Sequence, residues 1–376
     1  MKYILRQAGL TVLCLVALYG FVLGLTLILV PDPPEDSSLD TWNAGDTIYL
    51  TSPKYVMLQR YVLDTPGQKV LLVGASNVGV GFRRAQVQAH MPCARVSSLA
   101  LGDENISELR QMVDLVHEVQ NATARRSDTW VFGVWYGMFV DTAVRWTDPD
   151  RHRGDTDLDI ERYRYGFYRR TAAGPVPVLP IEWLPTAVVL IRPYLLLDRM
   201  ARDLVHALKQ RLHLDPGNLT DAEREKVIMS NKDKEEALAY WHDMMGGKDQ
   251  IAADQVAILQ KTIKELLDSG EKVVLADLPL PAWHRDASPY EAGYERRLND
   301  VFAHFDGRPG FAALRMDDLS AEQDFSDEVH PRPHMAPVWA ARLGAVLDPL
   351  VCRDGAALVA TGVPSATSQT GNLNSR

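Results

Sequence analysis

Lys69-Val70-Leu71-Leu72-Val73-Gly74-Ala75-Ser76-Asn77 joins a short apolar run to a turn that carries a serine. The run is rich in Val and Leu and predicts a buried β-strand that ends at Gly74. In sheets of parallel strands, functional groups lie beyond the carboxyl ends of the strands. A serine on the turn after such a strand presents its hydroxyl at this edge, so Ser76 is a candidate nucleophile.

Strand-like and helix-like segments alternate along the chain after this stretch. Short apolar runs predict further strands over 95–99, 129–134 and 273–276, and apolar residues at helical spacing predict helices over 108–119, 256–267 and 339–347. Strands that alternate with helices are typical of a parallel sheet with helices on both faces. We therefore predict an α/β fold with three layers around a central parallel sheet.

A second group of candidate residues lies far downstream, in Asp327-Glu328-Val329-His330. An Asp and a His three residues apart can share one loop, in which the carboxylate orients the imidazole and the imidazole faces a nucleophile. Ser76, His330 and Asp327 are therefore predicted to form a Ser-His-Asp triad for acyl-group chemistry. His334 is an alternative base, although we favour a surface-loop histidine as its interpretation.

The sequence predicts four regions. Residues 1–31 hold a short cytoplasmic start and a transmembrane anchor, 32–67 a linker and lead-in, 68–352 the α/β domain, and 353–376 a disordered tail. Within the domain the alternation of strands and helices breaks down over about 141–254, which predicts a mostly helical insertion. Arg and aromatic residues are interleaved in the first part of this insertion. They suit either a solvated surface or a surface for an anionic polymer, lipid headgroups or a membrane partner.

The N-terminal segment indicates where the domain is expected to lie. Lys2 and Arg6 precede an uncharged apolar run over 10–30. As a helix this run spans about 30 Å and can cross a bilayer core. It ends in a Pro- and acid-rich segment without a small-residue cleavage pattern, which favours a retained single-pass anchor over a cleaved signal peptide. Because the basic residues stay inside, we expect an anchor in the cell inner membrane and a domain in the periplasm or another extracytoplasmic space.

Charge and cysteine content narrow the function further. The net charge of −9 argues against a nucleic-acid partner. No Cys/His cluster has zinc spacing and no glycine-rich loop precedes a helix in the phosphate-binding pattern, so we expect neither a metal nor a nucleotide cofactor. Outside the anchor the cysteines are Cys93 and Cys352, which could form a disulfide in an oxidising compartment or could equally remain free thiols.

Three short segments resemble the sequence blocks of the SGNH (GDSL-like) hydrolases and acyltransferases. They are Gly74-Ala75-Ser76-Asn77 for the nucleophile block, Leu99-Ala100-Leu101-Gly102-Asp103 for the glycine block, and Asp324-Phe325-Ser326-Asp327-Glu328-Val329-His330-Pro331 for the terminal block. The resemblance covers about 68–140 and 255–350 and leaves the insertion outside. It implies a flavodoxin-like three-layer SGNH fold with Ser76 as nucleophile, His330 as base and Asp327 as its partner.

The resemblance also implies how an oxyanion would be bound. The backbone N–H groups of Ser76 and Gly102 are the implied donors. Where the family usually has Gly-x-Asn-Asp, this chain has Gly133-Val134-Trp135-Tyr136. The third donor is therefore missing, or is replaced by Asn77 or Asn105.

Trp283, His284 and Tyr136 are the residues that we expect to line the substrate pocket. The first two follow Asp277-Leu278-Pro279-Leu280-Pro281-Ala282, at the end of a predicted strand on the catalytic side of the sheet. A rigid structural turn is an equally good interpretation of this segment.

These observations predict a membrane-anchored, extracytoplasmic, serine-dependent O-acyltransferase. The resemblance implies that an acyl group, expected to be acetyl, passes through Ser76 to a hydroxyl of a cell-surface or exported polysaccharide. It also implies a partner, a multi-span membrane-bound O-acyltransferase that supplies the acyl group. Two alternatives stay open: an esterase or deacetylase that uses water as the acceptor, and a catalytically silent scaffold subunit that binds the polymer.

Overall fold

The computed structural model describes an α/β domain and an N-terminal helix. It describes residues 2–29, 63–64, 66–100, 104–140, 168–171, 174–177, 193, 205, 208–209, 211–212 and 221–353. Most of the predicted linker, most of the predicted insertion, residues 101–103 and the predicted tail after residue 353 lie outside these ranges.

The described part of the chain contains seven strands. They are β1 (Lys69–Gly74), β2 (Arg95–Ser98), β3 (Asp128–Val134), β4 (Tyr168–Thr171), β5 (Gly174–Pro177), β6 (Lys272–Asp277) and β7 (Phe311–Arg315). β4 and β5 pair as an antiparallel hairpin, and the other five strands form one parallel sheet in the order β2-β1-β3-β6-β7. This is the strand order of flavodoxin-like doubly wound sheets. Every residue of β1 and β3 is buried, as expected for central parallel strands that are covered on both faces.

Helices precede and flank the sheet. In the described ranges they are α1 (Lys2–Leu29), α2 (Ser76–Gly81), α3 (Arg84–His90), α4 (Ile106–Val119), α5 (Ala122–Arg125), α6 (Asp221–Arg224), α7 (Asn231–Met244), α8 (Ala253–Asp268), α9 (Ala282–Ala287), α10 (Glu291–Phe305) and α11 (Ala336–Leu347), which a π-helical turn (Asp348–Arg353) follows. α4 packs on α8, and α3 packs on α11. The path from β1 to β2 runs along the sheet in the opposite direction to the path from β2 to β3, so right-handed crossovers place α3 and α4 on opposite faces. The predicted α/β fold with a central parallel sheet is confirmed.

Several elements were not predicted from the sequence. They include the hairpin β4–β5, which lies inside the region predicted to be mostly helical, and the elements α2, α3, α9, α10 and β7. β7 is an edge strand with only one fully buried residue, Leu314, so it lacks the continuous apolar run that marks the central strands. The strands and helices predicted for the α/β domain are all present, and their boundaries differ from the predicted ones by up to three residues.

The sheet has a topological switch point between β1 and β3. From β1 the chain moves outward to β2, whereas from β3 it moves to β6 on the other side. The carboxyl ends of β1 and β3 therefore border a crevice, which is the usual ligand position in such sheets.

A disulfide links the two ends of the described domain. Cys93, just before β2, bonds to Cys352 in the turn after α11, with the two Cα atoms 5.6 Å apart. Of the two alternatives left open by the sequence, the structure has the disulfide. It fixes the last helix of the domain beside β2.

The N-terminal helix is long and apolar enough to span a membrane. The segment Lys2–Leu25 has a mean hydropathy of 2.3 and is not buried. A second described segment, Pro333–Cys352, passes the same length and composition test with a mean hydropathy of 1.3, and the sequence analysis did not single it out. Its side chains Trp339, Leu343 and Leu347 are fully buried in the domain, so this segment is apolar because it packs in the core. α1 remains the candidate anchor.

Candidate active site

The turn between β1 and α2 places Ser76 at the carboxyl edge of the sheet. Gly74 has a φ of +148°, which favours glycine, and a Cβ there would lie 2.5 Å from the carbonyl oxygen of Gly133 and 2.5 Å from Val78. Gly133 pairs with Gly74 across the sheet, and its own Cβ would lie 2.4 Å from Val78. The two facing glycines let the first turn of α2 pack directly on β1 and β3, which holds Ser76 above the crevice.

The three residues of the predicted triad meet at this edge. His330 Nε2 lies 2.8 Å from Ser76 Oγ, and His330 Nδ1 lies 2.8 Å and 3.0 Å from the two carboxylate oxygens of Asp327. Asp327 Oδ1 also accepts the backbone N–H groups of Val329 and His330, at 3.0 Å and 2.7 Å. With Nδ1–H donated to the carboxylate, Nε2 is left to accept the Ser76 hydroxyl proton. This arrangement can activate a serine hydroxyl.

The pKa values of Asp327 and His330 are shifted in opposite directions. Burial alone would raise the pKa of Asp327, but the charge of His330 and its hydrogen bonds outweigh burial, so this pKa lies below its ordinary value. Burial alone would lower the pKa of His330, but the Asp327 carboxylate outweighs it, so this pKa lies above its ordinary value. Asp327 therefore stays ionised and stabilises the imidazolium that forms when His330 takes the Ser76 proton.

His334, the alternative base, makes its contacts elsewhere. Its Nδ1 lies 2.8 Å from Glu225 Oε2, and its Nε2 lies 3.4 Å from Asp324 Oδ1. Arg332, two residues earlier, donates to the carbonyl oxygen of Val227 at 2.6 Å. The segment around His334 thus ties residues after α6 to the loop that carries the triad. The geometry favours His330 over His334 as the base.

A cavity of about 130 Å³ lies beside Ser76 and His330. Its described lining comes from the turn before α2, the start of α4, the segment after β3, the end of α7 and the triad loop: Ala75, Ser76, Glu104, Asn105, Trp135, Gly137, Val140, Tyr240, Trp241, Met244, Glu328, Val329 and His330. Apolar and aromatic side chains dominate, with a few convergent polar groups, as is typical of ligand pockets.

Asn105 is a candidate oxyanion donor in this cavity. Its Oδ1 accepts the N–H of Glu108 at 3.0 Å and caps α4, while its Nδ2 is buried and has no hydrogen-bond partner among the described residues. Asn77 Nδ2 is also buried without a described partner, but Asn77 is not among the described residues that line the cavity. The Ser76 N–H is in the first turn of α2, where backbone N–H groups have no intrahelical acceptor. Gly102 lies outside the described residues.

Tyr136, His284 and Trp283 lie outside the described lining of the cavity. Tyr136 and His284 are fully buried, with 2.5 Å between Tyr136 Oη and His284 Nε2. His284 Nδ1 lies 2.7 Å from the carbonyl oxygen of Glu328, in the triad loop. Burial lowers the pKa of His284 to about 4, so the ring is neutral, donates from Nδ1 to this carbonyl and accepts the Tyr136 hydroxyl at Nε2. Trp283 is half-buried and stacks on His284 with ring centroids 5.3 Å apart. The expected pocket-lining residues thus form a support behind the triad loop.

Sequence reasoning missed several residues of the cavity. Tyr240 and Trp241 come from α7, inside the predicted insertion, and Trp241 packs edge-to-face on Trp135 with ring centroids 4.5 Å apart. Glu328 was quoted only as part of the terminal block, and burial together with the charge of Asp327 raises the pKa of its carboxyl group. Glu104 is buried beside Asn105 at the start of α4. These residues lie far from the triad motifs in sequence or have no motif of their own, so the sequence did not mark them as cavity residues. The adjacent aromatic residues Tyr240 and Trp241 are only a weak sequence signal for a ligand site.

Comparisons with known proteins do not identify a family. No family model matches this chain, and no curated protein matches it. Within the described ranges, no group of three or more His, Cys, Asp or Glu side chains could hold a metal ion. Within the site, a serine, a histidine and an aspartate form one hydrogen-bonded chain beside a small cavity.

Proposed function

We propose that this protein is a membrane-anchored SGNH-type O-acyltransferase that works outside the cytoplasm. The observation that carries the proposal is the hydrogen-bonded chain from Ser76 through His330 to Asp327 at the switch point of the sheet. Neither a silent scaffold nor a purely structural role requires a serine, an imidazole and a carboxylate hydrogen-bonded in this order.

The proposed reaction has two half-reactions. Ser76 Oγ attacks the acyl carbon while its proton moves to His330 Nε2, and the leaving group departs with that proton to leave an acyl-serine. A hydroxyl of the acceptor then gives its proton to His330 and attacks the acyl carbon, and Ser76 recovers the proton. In both steps Asp327 stabilises the imidazolium, and the Ser76 N–H and Asn105 Nδ2 stabilise the oxyanion.

The cavity supports a short acyl group. Its volume of about 130 Å³ lies below the usual range for drug-sized ligands, about 300–1,000 Å³. Trp135, Trp241 and Met244 close it with apolar surface. A short chain such as acetyl fits this space, and we propose it as the transferred group.

The location outside the cytoplasm has two supports. α1 is long and apolar enough to anchor the chain, with Lys2 and Arg6 at its start. The Cys93–Cys352 disulfide suits an oxidising compartment such as the periplasm. We propose the inner membrane as the site of the anchor, a multi-span membrane-bound O-acyltransferase as the source of the acyl group, and a cell-surface or exported polysaccharide as the acceptor.

Covalent labelling tests the nucleophile. A fluorophosphonate probe should label the native protein and the control Ser98→Ala, a serine at the end of the neighbouring strand β2, but not Ser76→Ala. If Ser76→Ala is labelled as fast as the native protein, or if the folded native protein is not labelled, the enzyme proposal is wrong.

The fate of the acyl-serine separates transfer from hydrolysis. Acyl-enzyme formed from p-nitrophenyl acetate should lose its acetyl group slowly to water and faster when an oligosaccharide is added, with acetylated sugar as the product. Rapid loss to water that sugar does not alter would instead support the esterase or deacetylase alternative.

A further inference from the structure

Trp135 lies directly after β3, at the rim of the switch-point crevice. Its side chain is 3% exposed and lines the same cavity as Ser76 and His330. It lies two residues after Gly133, whose lack of a side chain lets β3 approach α2. The backbone that carries Trp135 is therefore fixed against the turn that carries Ser76.

The ring of Trp135 is held rigidly. It packs edge-to-face on Trp241, with ring centroids 4.5 Å apart, and against Tyr136, with centroids 5.0 Å apart. Gly137 leaves space for it, since a Cβ there would lie 2.3 Å from Trp135 Cη2. These contacts need the aromatic ring, but none of them uses its N–H group.

The indole N–H of Trp135 is buried and has no acceptor among the described residues. A buried donor without a partner is costly, so native structures seldom keep one without a reason. The Nδ2 group of Asn105 is in the same state and lines the same cavity. Among the described residues that line the cavity, Trp135, Asn105 and Trp241 each have a buried N–H group without a hydrogen-bond partner, which fits a ligand that brings an acceptor oxygen.

We propose that the indole N–H of Trp135 donates a hydrogen bond to the acyl oxygen of the substrate and stabilises its negative charge. The inference rests on the proposed function. When Ser76 Oγ bonds to the acyl carbon, the carbonyl π pair moves onto this oxygen and the hydroxyl proton moves to His330 Nε2. The C=O bond re-forms when the leaving group departs with that proton. A rigid donor at the oxygen favours the charged intermediate over the neutral ester.

The Trp135→Phe substitution tests this role because it keeps an aromatic ring and removes the N–H group. Trp339→Phe is a matched control: Trp339 is also fully buried and its indole N–H also has no described partner, but it packs on Phe82 and does not belong to the described cavity lining. Full-length protein in detergent is assayed for acylation by p-nitrophenyl acetate and for inhibition by a trifluoromethyl ketone, which forms an oxyanion adduct with serine.

Trp135→Phe should lower kcat/KM for acylation by about 10- to 100-fold and weaken the trifluoromethyl ketone by a similar factor, while Trp339→Phe leaves both unchanged. Replacing Trp135 by β-(3-benzothienyl)alanine, which exchanges N–H for sulfur in a ring of nearly the same shape, should reproduce the loss even if the phenylalanine variant folds poorly. If the sulfur analogue binds the ketone as tightly as the native protein, the inference is overturned.

The same assays distinguish this inference from the proposed function. If Ser76→Ala is inactive and the Trp135 variants retain native rates, the triad stands and the role of Trp135 is wrong. If Ser76→Ala retains native rates, the proposed function itself is wrong.

Discussion

The substitution Asp327→Asn exchanges one carboxylate oxygen for an NH2 group and leaves the shape of the side chain unchanged. In the native chain Asp327 Oδ1 accepts the backbone N–H groups of Val329 and His330, at 3.0 Å and 2.7 Å. An NH2 group cannot accept these bonds, so the amide oxygen of the variant has to take this position. The NH2 group must then occupy the position of Oδ2, which lies 2.8 Å from His330 Nδ1.

This forced orientation reverses the histidine tautomer. An NH2 donor facing Nδ1 requires an acceptor there, so the ring proton moves to Nε2, the nitrogen that lies 2.8 Å from Ser76 Oγ. A protonated Nε2 cannot accept the serine proton. The corresponding change in the triad of a serine protease lowers kcat by about 10⁴-fold, or about 5.5 kcal/mol, and we expect a loss of this size.

The rate of fluorophosphonate labelling, measured across a pH series, is a suitable assay. In the native protein labelling should weaken as the pH falls through the raised pKa of His330, because only the neutral ring can act as a base. Removal of the Asp327 charge leaves burial to lower this pKa. The labelling rate of the variant should therefore reach a lower plateau than that of the native protein. Its decline toward acid should also occur at lower pH.

Two results would contradict this reasoning. One is a loss of less than about 10²-fold on the plateau, and the other is an acid limb that moves to higher pH. Asp324→Asn, in the same segment but in contact with His334, is the matched control and should keep the native rate and pH profile.

Three further predictions concern the oxyanion donor, the support of the triad loop and the disulfide. Asn105→Ser keeps an oxygen that can cap α4 but removes the N–H donor, so kcat for acylation should fall about 10²- to 10³-fold while thermal unfolding stays near native. His284→Ala removes the ring that bonds both the buried Tyr136 hydroxyl and the carbonyl of Glu328, so the free energy of unfolding in urea should fall by about 2–6 kcal/mol; an unchanged free energy would rule out the support role. Cys93→Ser breaks the bond to Cys352 and frees a loop with a sequence separation of 259, so it should lower the free energy of unfolding by about 2–5 kcal/mol, and the native protein under reducing conditions should match it.

The central strands could be predicted from the sequence because their environment is uniform. β1 and β3 are buried on both faces, and each therefore reads as a continuous apolar run. Edge strand β7 has only five residues, of which only Leu314 is buried, so its pattern does not stand out from a loop. The helices α9 and α10 follow a Pro-rich turn and carry many charges on their exposed sides, which hides their buried stripes.

The triad was predictable because each of its two parts can be recognised from a short stretch of sequence. Asp327 and His330 share one loop, and Ser76 follows the most apolar strand of the domain, so each part has its own sequence signal. The cavity wall has no such signal, since Tyr240 and Trp241 reach it from a helix more than 160 residues after Ser76 in the chain. Such residues reach the site only because distant segments pack together. The periodicity of apolar residues along the sequence does not predict which distant segments pack together.

His284 was expected to face the substrate, but the structure gives it a different environment. Its position after a strand on the catalytic side was inferred correctly, yet its two ring nitrogens are used inside the protein, by Tyr136 and by the Glu328 carbonyl. Only the depth of burial distinguishes a ligand-binding histidine from a supporting one, and sequence does not give that depth at a turn.

Trp135 stands where the SGNH pattern has an asparagine, and this departure is the strongest argument for a silent scaffold. The buried N–H donors in the cavity wall favour a catalytic role instead. A buried N–H without a partner costs about 1–3 kcal/mol, and the N–H groups of Trp135 and Asn105 have no acceptor among the described residues. Trp339 also has a buried N–H group without a described partner, so the position of the other donors beside Ser76, and not the missing partner alone, favours a ligand-binding role. We therefore propose that these donors, which lie beside the hydrogen-bonded Ser76 and His330, bind the oxyanion in place of the asparagine.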